Sequence, residues 1–377
     1  MSHRTRIPPA FVIKTVTALR ARLSRLADRL LPAPLAVAEL GHQFARAHVL
    51  AALSELGVAD NMGSEPISSE QLAATLDCDP DALHRLLRAA ATFGAVTMGN
   101  DGRVRATRMT RALRSDDVHA VGAWCRYLSS TAHQQAWGDL GTSVRTGQPA
   151  FRRVHGRSLF EWFVEHPDEG ERFTRGLAGL TLADAPFVLG AIDLPDHGVV
   201  CDVGGGRGVM LAEILRARPE LRGILLDSED VLVEARSYLA ERGLLARVEL
   251  LPADIFAPFQ VTADLYLLKW ILHDWNDATC VGLLTTLAAT MPSDSRVVVI
   301  EGLQHPNVVD PRFSMIDLEM LVVTDGGRER SADQLGRLLS AAGLTPMTPA
   351  VTATGTAVLS ATVSREARGR GELLQPA

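Results

Sequence analysis

With 377 residues, 47% hydrophobic and 22% charged, the chain has the length and apolar share for two to three globular domains with ample cores. A net charge of −6 offers no general attraction to nucleic acid or to an anionic membrane, and no apolar run is long enough to span a bilayer. Cys78, Cys125, Cys201 and Cys280 are far apart, show no metal-ligand spacing and demand no oxidising compartment, so a cytoplasmic protein without a bound metal is expected.

Residues 1–34 form a basic extension. Arg4, Arg6, Lys14, Arg20, Arg22, Arg25 and Arg29 face one acid, Asp28, and Leu19, Leu23, Leu26 and Leu30 recur at helical spacing. The spacing predicts an amphipathic helix that packs on the chain's own body or on a dimer mate, in preference to a membrane surface. It lacks the continuous apolar stretch of a secretory signal. Residues 35–117 read as helices followed by a hairpin. Ser68-Ser69-Glu70-Gln71-Leu72 starts one helix, and Asp79-Pro80-Asp81 opens another with Leu83, Leu86 and Leu87 on one face. Asn100-Asp101-Gly102 marks the turn. That is a winged-helix pattern, which admits a DNA-binding regulator as a rival class. His84, Arg85 and Arg88 lie on the second helix, yet acids balance bases across the segment, where a DNA reader needs a basic excess. Residues 118–192 are helical and linking, and 365–377, rich in Arg, Gly and Glu, read as a disordered tail.

Residues 193–364 carry the strongest signal. Val199 to Val203 is an apolar run that includes Asp202. Gly204-Gly205-Gly206-Arg207-Gly208 follows, and then a helical pattern from Val209 to Leu215. This is strand, tight turn and helix, the opening unit of a nucleotide-binding α/β sheet. Further runs end in Asp227 and Asp254, and another reaches Lys269 before Trp270-Ile271-Leu272-His273-Asp274-Trp275. A helix around 278–290 and the strand Arg296 to Glu301 complete repeated β–α–β units. Acids at the carboxyl ends of successive strands point to a nucleoside-bearing ligand. Asp202 beside the glycine turn would repel a pyrophosphate. It suits a ligand with a cationic amino group and a sulfonium, which favours S-adenosylmethionine over NAD.

These motifs, with Leu251-Pro252-Ala253-Asp254-Ile255-Phe256 and Gly326-Gly327-Arg328-Glu329-Arg330-Ser331, resemble the class I S-adenosylmethionine-dependent O-methyltransferases of plant phenolic and bacterial natural-product type. The resemblance runs from about Leu35 to Val363. It implies an α/β Rossmann-like methyltransferase domain, mostly parallel with helices on both faces, joined to a mainly α winged-helix dimerisation domain. It also implies a homodimer, S-adenosylmethionine giving S-adenosylhomocysteine, and a small hydroxyl acceptor. Gly204 and Gly206 would face the methionine part, Asp227 the ribose, and Asp254 with Ile255 the adenine, with Lys269 in the segment that closes over the ligand. His273 matches the general base, and Glu301 and Glu329 the acids that flank it. Leu177 stands where the family often has a cofactor-touching methionine. The N-terminal extension is a second departure.

Methyl transfer needs the acceptor oxygen aligned and its proton removed. A phenol with a pKa of roughly 10 is mostly protonated at neutral pH, and an imidazole is the natural base. Glu301, closing the next strand, is expected to reach the imidazole and fix its tautomer. Glu329 is expected either to flank it too or to pair with Arg328 and Arg330 at the surface. Trp124, His133, Trp137, Trp270, Asp274 and Met320 are candidates for the acceptor pocket, with core packing as the alternative for the first three and Met320. Met315 and Met320 are expected to share a helix face. A relative that keeps the cofactor and does other chemistry, such as hydroxylation, is the alternative within the fold.

Overall fold

The computed structural model describes residues 10–364 apart from positions 118, 120, 306 and 308; the expected tail 365–377 and the start of the extension lie outside them. The chain packs as two units. One holds Thr15–Gln135 and Phe160–Ala183, and the other holds residues 10–14, Ala136–Leu159 and the described residues from Asp184 to 364. The linking segment 118–192 is therefore divided between them.

In the first unit the two helices marked in the sequence start at their side-chain caps. Ser68 accepts from the Gln71 N–H while Gln71 reaches back to the Ser68 N–H, opening the helix Ser69–Leu76. Asp79 accepts from the Ala82 N–H at the head of Pro80–Ala91. Leu83 and Leu87 of that helix are buried with Leu53, Leu72, Val96 and Val104 in one apolar cluster. The hairpin pairs β1 (Val96–Met98) with β2 (Val104–Ala106), and Gly102 turns it at φ 74°. The first helix, Ala10–Leu30, leaves Leu19, Leu23, Leu26 and Leu30 between 54% and 78% exposed. The packing on the chain's own body admitted from sequence is absent for these four leucines.

In the second unit, eight strands form one sheet. They are β3 (Gly198–Val203), β4 (Leu221–Asp227), β5 (Val248–Pro252), β6 (Leu265–Lys269), β7 (Arg296–Gly302), β8 (Leu344–Pro346), β9 (Ala350–Val351) and β10 (Thr356–Val363). The order is β5-β4-β3-β6-β7-β10-β8, with β9 on β10. The pairs from β5 to β7 are parallel and those of β10 antiparallel. Parallel strands covered on both faces read as continuous apolar runs, as the sequence does here. Cys201, Val203, Tyr266, Leu268, Val297 and Val299 pack with the helices Asp277–Thr290 and Ala332–Ala341. On the opposite face Gly223 admits Leu211 of the helix Val209–Ala217. The order reverses beside β3, because β4 lies on one side and β6 on the other. The carboxyl ends of β3, β4, β6 and β7 meet there, where open α/β sheets bind ligands.

Candidate active site

The turn after β3 is a cradle built from glycine. Gly204, Gly206 and Gly208 have φ of 67°, 59° and 74°, the left-handed region that side chains resist. A Cβ on Gly204 would stand 2.7 Å from Ile271 Cδ1, and one on Gly205 would strike the Asp202 carboxyl. A Cβ on Gly206 would meet nothing within 4 Å, so open space lies over that backbone. Asp227, at the tip of β4, accepts from the Gly206 N–H and the Ser228 N–H, both at 2.8 Å, and so ties the glycine turn to the next strand. Burial raises its carboxyl above the usual range, against the lowering effect of those two donors. Asp202 is 1% exposed, and its Oδ2 has no hydrogen-bond partner. Burial pushes this carboxyl up to about 7, opposed by Lys269 and reinforced by Asp227. A buried orphan carboxylate oxygen under a glycine cradle fits the cationic amino end of S-adenosylmethionine. Asp254 is exposed and accepts from the Phe256 N–H, while Ile255 is half-buried and reaches toward Gly204. Lys269 ends β6 with Nζ 3.5 Å from the centroid of the Trp270 ring. Burial lowers its ammonium to about 8 despite Asp184, Asp202 and Glu301.

The segment after β6 leaves the sheet through Trp270, which holds φ 54° although it is not glycine. Such backbone costs of order 1–3 kcal/mol and persists only where neighbours over-determine it. Here the Trp270 N–H donates to Ile300 O, and the Ile271 and Leu272 N–H groups donate to Glu301 Oε1 at 3.2 and 2.9 Å. The turn carries His273, whose carbonyl accepts from the Arg328 N–H. Gly327 allows this approach, since a Cβ there would strike the His273 carbonyl. Arg330 is 2% exposed. It donates to Leu272 O at 2.7 Å and Trp275 O at 2.6 Å and pairs with Asp277 at 2.8 Å, gripping the turn on both sides of His273.

The imidazole meets its acids differently from the sequence expectation. His273 Nδ1 lies 2.7 Å from Glu329 Oε1 and 3.9 Å from Glu301 Oε2. Glu329 thus holds the ring, and Glu301 acts on the turn's backbone. The surface pairing offered for Glu329 is also overturned: it is 4% exposed, and Asp317 accepts from its N–H at 2.9 Å. Asp274 Oδ1 lies 3.6 Å from His273 Nε2. Burial alone would lower the imidazole, yet Asp274, Glu301 and Glu329 together lift it to about 10. Burial also raises Glu301, and raises Asp274 to about 6, against the stabilising imidazolium. The ligand-type atoms of His273, Glu301 and Glu329 lie within 4.8 Å of one another, a spacing that would also admit a metal ion.

Trp137, Trp270, Asp274 and Met320 belong to the unit that holds His273, while Trp124 and His133 belong to the other. The Trp137 Nε1–H donates to Glu319 Oε2 at 2.6 Å, which ties it to the helix Pro311–Val323. Met320 of that helix is 7% exposed and Met315 is 63% exposed, so the expected shared face is wrong. Five residues along a helix rotate about 140°. Trp124 packs on Tyr127 and Phe173, and His133, 4% exposed, packs on Tyr127. Sequence reasoning missed Arg330, Asp317 and Glu319. Only Arg330 left a signal, an arginine inside a glycine-acid motif, and it was read as a surface partner.

Two family models match. That of the O-methyltransferase domain matches residues 137–345, and that of the O-methyltransferase dimerisation domain matches residues 38–116. The mitomycin biosynthesis 6-O-methyltransferase of Streptomyces lavendulae is 36% identical over 77% of this chain and 83% of its own length. The O-demethylpuromycin-O-methyltransferase of Streptomyces alboniger is 37% identical over 78% of this chain and 79% of its own. The crystal structure of human N-acetylserotonin methyltransferase in complex with S-adenosylmethionine superposes with a TM-score of 0.82 at 25% identity, covering 89% of this chain and 98% of that one.

Proposed function

The chain belongs to the S-adenosylmethionine-dependent O-methyltransferases of secondary-metabolite type, and from that premise we propose that it methylates a phenolic hydroxyl of a small natural product with His273 as the base. The observation that carries the base assignment is the 2.7 Å contact of Nδ1 with buried Glu329. That contact leaves Nε2 as the nitrogen that takes the acceptor's proton. The names of the relatives, an O-methyltransferase of mitomycin biosynthesis and one acting on O-demethylpuromycin, support a natural-product acceptor. The matched dimerisation domain supports a homodimer, and free cysteines fit a reducing compartment, the cytoplasm. No helix among the described residues is long and apolar enough to cross a membrane.

S-adenosylmethionine, when bound, supplies an electrophilic methyl group on a sulfonium. The chain's own residues do the rest. Asp202 and the glycine turn hold the cationic end, and Asp227 the ribose. Glu301 sets the turn, and Glu329 fixes the imidazole. The imidazole at about 10 matches the phenol's roughly 10, so the proton passes between groups of similar affinity. Below that pH both groups are protonated, and one proton must leave to solvent before the phenolate–imidazolium pair forms. Turnover at low acceptor concentration should therefore rise about tenfold per pH unit from about pH 7 and level off toward about 10; a more acidic phenol should level off earlier.

The test is methyl transfer to a panel of phenols, read by mass, with wild type and His273→Ala. The variant should keep its S-adenosylmethionine affinity and lose roughly 10²–10⁴ in turnover. Near wild-type turnover at neutral pH would remove His273 as base. The same assay after exhaustive chelation decides the role of the His273, Glu301 and Glu329 set. Unchanged turnover supports a proton site, and loss restored by a divalent cation would replace it with a metal site.

A further inference from the structure

We propose that the helix Ala10–Leu30 pairs with the same helix of a second copy of this chain as a short parallel coiled coil; this rests on the homodimer reading and extends its interface beyond the matched dimerisation domain.

The pattern is a heptad seam. Val16, Leu23 and Leu30 fall at a positions and Leu19 and Leu26 at d positions, spaced three and four residues in turn. All five are open in the single chain: Val16 59%, Leu19 54%, Leu23 56%, Leu26 56% and Leu30 78% exposed. A strict a/d stripe is narrower than the face a helix turns to a globular core, and it fits one partner helix. It also argues against a membrane surface. A helix lying in a bilayer interface carries a broad apolar face with aromatic residues, whereas this helix has one aromatic residue, Phe11, at a c position off the seam.

The flanking charges choose the direction. Arg22 and Arg29 fall at g positions and Arg20 and Ala27 at e positions. In a parallel pair each g residue faces the partner's next e residue, so Arg22 meets Ala27 and no arginines are opposed. An antiparallel pair sets g against g and brings Arg22 toward Arg29. The seam ends eight residues before position 38, where the match to the dimerisation domain begins. Leu40 and Phe44, early in that domain, are 56% and 64% exposed, so apolar surface continues into it. A helix of this length is marginal alone. The dimerisation domains would hold two copies close enough to make the pairing intramolecular in effect. The coil then strengthens the dimer without creating it.

The experiment uses the full chain carrying Leu23→Cys at a seam position or Arg25→Cys at a position away from it, oxidised and run on a non-reducing gel. Sedimentation of wild type, of a Leu23→Glu/Leu26→Glu variant and of a chain starting at residue 32 gives the dimer dissociation constant. Circular dichroism checks that each variant is folded. Rapid cross-linking of Leu23→Cys alone, with dimers weakened at least about tenfold by the double variant and the truncation, is the expected result. A dimer whose affinity ignores both changes, with equal cross-linking at the two positions, overturns the coil and leaves the homodimer standing. A monomeric full chain removes both. Binding to vesicles of anionic phospholipid that the double variant loses, with dimer affinity unchanged, would also overturn the proposal and assign the stripe to a membrane surface.

Discussion

Asp202 sits in β3 under the glycine turn with one oxygen unbonded and its carboxyl raised by burial to about 7. A carboxyl whose folded pKa lies above its unfolded value binds more protons in the folded chain. Stability therefore falls as pH rises from about 4 through 7, and the cost is complete above that. Asp202→Asn removes the buried charge, so at pH 8 the ligand-free variant should melt above wild type while binding S-adenosylmethionine more weakly. Wild-type affinity should fall as pH drops below about 7, and the variant's should stay flat. Calorimetry across pH checks both, and equal affinity in the two proteins would place the ligand's cationic end elsewhere. Glu329→Gln keeps an acceptor for Nδ1 but loses a charge that raises the imidazole. The pH at which turnover levels off should drop, and the plateau above about pH 10 should fall below wild type because the weaker base holds the acceptor's proton less well. An unmoved profile would detach Glu329 from the proton site. His273 was legible from its place after the cofactor strands. Which of its two expected flanking acids bonds the ring was not, because Glu301 and Glu329 lie in separate segments and both were expected beside the imidazole. Which carboxylate reaches 2.7 Å depends on a turn held by backbone bonds that no spacing rule encodes.

At the scale of elements, β3, β4, β6 and β7 were readable because strands buried on both faces spell apolar runs, with a charged residue at or next to each strand end. The turn 270–275 was not readable as an object, since its shape comes from a left-handed tryptophan and a clamp from a distant segment. Arginine is almost never fully buried unless paired, and Arg330 spends its guanidinium on two carbonyls and Asp277. Its planar fork reaches all three, whereas a lysine ammonium is a single point. Arg330→Ala should leave S-adenosylmethionine affinity within about twofold and lower turnover by about tenfold or more, because His273 loses its fixed place. Added guanidinium should restore part of that turnover, and Arg330→Lys should remain impaired. A variant with wild-type turnover would show that the turn holds without the clamp.

Among the described residues, each of the two units has an apolar core of its own. One, around Leu53, Leu72, Leu87 and Val104, belongs to the helical unit; the other, around Tyr266, Leu268, Leu284 and Val299, belongs to the sheet unit. Asp202, Asp227, Lys269 and His273 all stand in the second unit. A ligand that binds only the folded state stabilises the unit that binds it, by about 2.7 kcal/mol at a hundredfold excess over its Kd. For a unit of this size that corresponds to several degrees in Tm. If the cores unfold as separate cooperative blocks, S-adenosylhomocysteine should raise one calorimetric transition and leave the other in place. Dilution should lower the transition of the helical unit, which carries the matched dimerisation domain. Asp227→Ala should abolish the ligand-induced rise, since it removes an acceptor that pins Gly206 and the proposed ribose contact. Differential scanning calorimetry at two protein concentrations, with and without ligand, reads all three effects. A single transition that shifts as one with both ligand and concentration would mean that the two cores are coupled strongly enough to unfold together. The cofactor site and the dimer surface would then be thermodynamically linked, and each variant above that weakens ligand binding should also change the dimer dissociation constant in the ligand's presence.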